Sequence, residues 1–75
     1  MIGTYPYTGA LKALQAVAKG GGTKLSGGGL LVGSAGNAKS VHIAYPGIDY
    51  EIEIYDPRPG QARALALSGK VTPVR

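Results

Sequence analysis

The chain contains no cysteine, no phenylalanine and no tryptophan, and it has one histidine and four acidic residues. Without cysteine there is no disulfide to restrain the unfolded state, no thiolate nucleophile and no sulfur ligand for a metal. Without Phe or Trp, a core has to be assembled from Leu, Ile, Val, Ala and some of the five tyrosines. No apolar run approaches the ~20 residues that a membrane-spanning helix needs. Met1–Tyr7 carries neither the basic leader nor the apolar centre of a secretory signal, so the expected location is cytoplasmic.

Seventy-five residues make one domain, because a chain of this size buries only about 60% of the surface its unfolded form exposes. A modest core gives association a thermodynamic advantage, since a partner that binds only the folded form stabilises it. Of thirteen glycines, eight cluster in the first half, at Gly20–Gly22, Gly27–Gly29, Gly33 and Gly36. Periodic apolar residues on both sides of this cluster indicate a folded domain with a glycine-rich loop at about 20–29, rather than a disordered chain.

The spacing of Leu11, Leu14 and Ala18 predicts an amphipathic helix from Ala10 to Lys19, with Thr8 as its cap and Gly20 beyond its end. A loop follows, with at most a short strand at Thr23–Ser26, and then a strand at Leu30–Ser34. Ala35, Gly36, Asn37 and Ala38 suit a hairpin into a second strand at Lys39–Tyr45, where Val41, Ile43 and Tyr45 share a face. After Pro46 and Gly47, a third strand at Asp49–Asp56 has Tyr50, Ile52 and Ile54 on one face and Asp49, Glu51, Glu53 and Tyr55 on the other. Asp56–Pro57 signals a helix start, and Gln61–Leu67 reads as a short helix or an extended segment. Val71–Val74 suits an edge strand, and Tyr5, Pro6 and Tyr7 suit packing over the core or an arm onto a neighbouring subunit. The expected fold is α+β, in the order α-β-β-β-α with a further β, and with the helices packed on one face of an antiparallel sheet.

Charge is segregated. All four acids, Asp49, Glu51, Glu53 and Asp56, fall within eight positions, and all eight Lys and Arg lie outside them. Setting those −4 charges against the net +4 leaves +8 on the remainder, so one acidic strand crosses a basic protein. Asp49, Glu51, Glu53 and Tyr55 are the candidate strip for a basic partner or a second copy. His42 is the natural suspect for acid–base chemistry, but either hairpin register sets it opposite Glu51 or Glu53, where an ion pair accounts for it.

Gly20–Gly27 has the ingredients of a phosphate loop, with Lys24 inside it, in the wrong order: a helix precedes the glycines where a P-loop needs a strand. Lys12 and Lys19 on one helix face, joined by Lys24, form the candidate nucleic-acid contact. The order α-β-β-β-α is similar to that of double-stranded RNA-binding domains and of small mRNA-cleaving toxins, a resemblance of element order alone. The composite expectation is a small non-enzymatic interaction or assembly module, self-associating through a sheet edge or its segregated charge. The alternatives are nucleic-acid binding through the lysines and a metal-independent nuclease using His42. No cofactor and no metal is called for.

Overall fold

A computed structural model describes residues 1–33 and 39–73. Strands β1 (Ile2–Pro6), β2 (Thr23–Lys24), β3 (Leu30–Gly33), β4 (Ser40–Ala44) and β5 (Tyr50–Tyr55) form one antiparallel sheet in the order β1-β5-β4-β3-β2. Two helices, α1 (Ala10–Ala18) and α2 (Gln61–Leu67), complete a single α+β domain. The hairpin turn read at Ala35–Ala38 lies outside the described residues.

The β4–β5 pairing sets Val41 opposite Ile54, His42 opposite Glu53 and Ile43 opposite Ile52. Strand alternation therefore sends Val41, Ile43, Ile52 and Ile54 to one face with Leu31, and α2 covers them through Ala62 and Ala66. Ile43 is fully buried there, which stabilises the fold by ~1.5–3 kcal/mol relative to leaving the side chain in water. Leu30 and Ala44, the chain neighbours of Leu31 and Ile43, point to the opposite face and pack against Ala10 and Leu14 of α1. The α+β class stands, but the expected placement of both helices on one face does not: α1 and α2 take opposite faces. The physical reason lies in the middle strands, where Leu30–Leu31 and Ile43–Ala44 are apolar on consecutive residues and so need cover on both sides.

Four other expectations change. Thr8 does not cap α1. The position before the helix is Gly9, in the left-handed conformation (φ 71°) and without a side-chain cap. Asp56 does not cap α2 either. Its Oδ1 accepts from the backbone N–H of Arg58, and the helix starts only after Gly60 (φ 78°). Val71–Pro73 forms no strand, and Val71 packs instead against the α2 side of the core. Tyr5 and Tyr7, finally, do not cover the core but stand half-exposed, because Ile2–Pro6 is an additional strand paired with β5.

The glycine-rich segment is partly ordered by its neighbours. Gly29 approaches the Tyr45 ring so closely that a Cβ would stand 2.5 Å from Cε1. Only glycine lets β3 begin against that ring, and the Leu25 N–H bonds back to the Gly29 carbonyl at 2.8 Å.

Candidate functional site

The pairing register brings the acidic strand, the histidine and the extra strand together on the α1 side of the sheet. Across β4–β5, Nδ1 of His42 lies 2.6 Å from Oε1 of Glu51 and Nε2 lies 3.7 Å from Oε2 of Glu53. Nδ1 is buried and off the line of a hydrogen bond, so the attraction to Glu51 is one of charge when the ring is protonated. On the other side of β5, the Tyr5 hydroxyl donates to Oε1 of Glu53 at 2.9 Å. That hydrogen bond, reinforced by the carboxylate's negative charge, holds the Tyr5 phenol above its ordinary pKa of 10.

The four residues of the acidic strip are thus placed differently from one another. Glu51 and Glu53 keep 18% and 30% of their side-chain surface and already face His42 and Tyr5. Asp49 lies before β5 and accepts a long hydrogen bond from the Gly9 N–H at 3.4 Å, which ties the start of α1 to the sheet. Tyr55 ends β5 and is exposed. Among the described residues, no group of three His, Asp or Glu side chains could hold a metal ion. Both ring nitrogens of His42 face carboxylates, whose charge repels a phosphodiester.

Sequence reasoning did not find the outer edge of β1. Tyr55 N–H donates to the Met1 carbonyl, the Met1 ammonium donates to the Tyr55 carbonyl, and Tyr7 N–H donates to the Asp49 carbonyl. With Ile2 opposite Ile54 and Thr4 opposite Ile52, odd-numbered residues therefore bond inward to β5. The N–H and C=O groups of Ile2 and Thr4 point outward, where among the described residues the sheet has no further strand. Pro6 falls at the same outward-facing parity, where its missing N–H costs the sheet nothing. Among the described residues, the exposed large apolar side chains are Met1, Ile2, Tyr5, Tyr7, Val17, Tyr55 and Leu67. Five of these seven lie on β1, at its ends or beside it at Tyr55. No residue of β1 is charged.

The basic candidates lie elsewhere. Lys12, Lys19 and Lys24 are exposed, and among the described residues none is paired with an acid. Gln15 borders one surface recess with Lys12 and another with Lys24, so both lysines flank the same part of α1. A cavity of about 430 Å³ opens between Lys24, Tyr45 and the residues that follow α2, and its ionisable lining is Lys24 and Tyr45. Among the described residues, no helix is long and apolar enough to cross a membrane.

Comparison with known proteins finds no matching family model, no matching curated protein and no matching solved structure. Function is accordingly a matter of the site's own geometry.

Proposed function

We propose that this chain is a small non-enzymatic interaction module that takes up an extended segment of another chain as a strand added to β1. The observation that carries this reading is the outward row of Ile2 and Thr4 N–H and C=O groups on an edge without charged side chains, flanked by exposed Met1, Tyr5 and Tyr7. Strand addition draws its affinity from main-chain hydrogen bonds and its selectivity from alternate side chains. Among the described residues, no lysine, bulge or covering loop guards this strand, and of the features that ordinarily discourage pairing only Pro6, at its end, is present. Glu51 and Glu53 are already engaged with His42 and Tyr5, so the edge supports the reading more directly than the acidic strip does.

An extended heptapeptide of alternating valine and threonine, titrated into the protein, should shift the amide resonances of Ile2 and Thr4 and slow their exchange with solvent. Thr4→Pro removes an N–H that the fold itself does not use and should abolish both effects while leaving α1 and α2 intact. Perturbation confined to other surfaces, or equal binding by Thr4→Pro, would overturn strand addition.

A second reading is favoured by one observation, the acid-free trio Lys12, Lys19 and Lys24 around α1. In it the α1 face binds the phosphates of a nucleic acid without regard to sequence. Lys12→Glu combined with Lys19→Glu should then weaken binding to a generic oligonucleotide, and parent binding should fall steeply with salt. Salt-independent binding, or none at low ionic strength, rules this reading out.

A further inference from the structure

We infer that the strand received by β1 is β1 of a second copy, paired antiparallel about a two-fold axis through Gly3; this rests on the strand-addition reading above. The edge is self-complementary in one register in particular. Centred on Gly3, Ile2 of one copy stands opposite Thr4 of the other, and the outward N–H and C=O groups of both residues are used in about four interchain hydrogen bonds. Moving the axis to Thr4 would place the Ile2 carbonyl opposite Pro6, which has no N–H to donate.

The side chains agree with the Gly3-centred register. Tyr5 bonds to Glu53 on the α1 side of the sheet, and Met1 has the same parity as Tyr5. The most exposed side chain of the edge, Met1 at 90%, therefore meets Tyr5 of the second copy, as a thioether against an aromatic ring. On the α2 side Ile2 meets Thr4, a pair of β-branched residues suited to neighbouring strands. The two glycines at the axis present no side chain to each other.

Electrostatics also permits a second copy. No side chain of β1 is charged, the Met1 ammonium is turned inward onto the Tyr55 carbonyl, and the acidic strands of the two copies would lie about three strand spacings apart, roughly 14 Å. That exceeds the Debye length of about 8 Å at physiological ionic strength. Salt should therefore leave the association unchanged or tighten it. One strand pair buries less than the ~1,200–2,000 Å² of a standard interface, so the dimer is weak and concentration-dependent.

Because the chain has no cysteine, a single introduced thiol reports on the axis. At Gly3 a Cβ meets nothing nearer than the Tyr5 hydroxyl at 4.0 Å. Residues facing each other in a non-hydrogen-bonded pair have Cα atoms about 4.5 Å apart, within the ~4.4–6.8 Å span of a disulfide. Gly3→Cys should oxidise to a covalent dimer much faster than Lys12→Cys at equal concentration. Adding Thr4→Pro, or Thr4→Lys where the proline variant does not fold, should remove that advantage. Sedimentation of the parent should show its mass rising towards twice the monomer, no less at high salt than at low. Equal oxidation rates for Gly3→Cys and Lys12→Cys, or a monomer at every concentration, would overturn the second-copy inference. If the valine–threonine peptide still shifts Ile2 and Thr4 in that monomer, only the identity of the occupant has failed. If it does not, strand addition has failed with it.

Discussion

Asp56 and Arg58 show how a neighbour two residues away can set a side chain's chemistry. The carboxylate accepts from the Arg58 backbone N–H at 2.9 Å, from Nε at 3.0 Å and from Nη2 at 2.7 Å. These bonds hold its pKa down at about 2. A depressed folded pKa adds stability that is fully present above the unfolded value of ~3.9. That stability is lost as pH falls through about 2. The pair is open to water, so the effect is small. The melting temperature of the parent should fall further between about pH 4 and pH 2 than that of Asp56→Asn, followed by circular dichroism. Parallel falls would show that the Arg58 pair contributes nothing to acid stability. The pairing of His42 with the acidic strand was legible at this scale, because alternation alone sets the two on one face. The Tyr5–Glu53 bond was not, because it depends on a strand pairing between residues 48 apart in sequence.

Among the elements, β4 carries the most consequence, since it presents buried apolar side chains to both helices. Val41 and Ile43 are fully buried beneath α2, and Ala44 is 1% exposed beneath α1. Ile43→Ala should destabilise by ~2–5 kcal/mol through the cavity it leaves. Ala44→Leu should destabilise by ~1–3 kcal/mol because α1 leaves no room for the added atoms. Urea unfolding midpoints measure both, and a neutral Ala44→Leu would mean that α1 does not press on that face. Helix α1 and strand β5 were readable from spacing; for α2 the bounds Gln61–Leu67 were legible, but its four alternating Ala and Leu residues read equally well as helix or as extended chain. The opposite-face arrangement was written in the consecutive apolar residues Leu30–Leu31 and Ile43–Ala44, which read equally well as parts of ordinary strands. Ile2–Pro6 escaped notice because Gly3 and Pro6 interrupt its pattern and because its partner, β5, lies at the far side of the sequence. Thr8 and Asp56 have the chemistry of caps, but the backbone enters each helix through a left-handed glycine, Gly9 and Gly60, and leaves those side chains elsewhere.

At the scale of the whole molecule, the acids gather near one end of the sheet order and the unpaired lysines lie around α1 towards the other. An edge-to-edge filament needs two adhesive edges on every subunit, and among the described residues this sheet has only one of any length. Its far border, β2, is two residues long, includes Lys24 and runs into the tight turn Ser26–Gly28. If two molecules join through β1, the joined sheet ends on both sides at β2, which has too few backbone groups to template another strand. Growth then stops at two. On the strand-addition reading, the brevity of β2 would thus act as a chain terminator: a sheet with one long open edge can pair once, where a sheet with two such edges could polymerise.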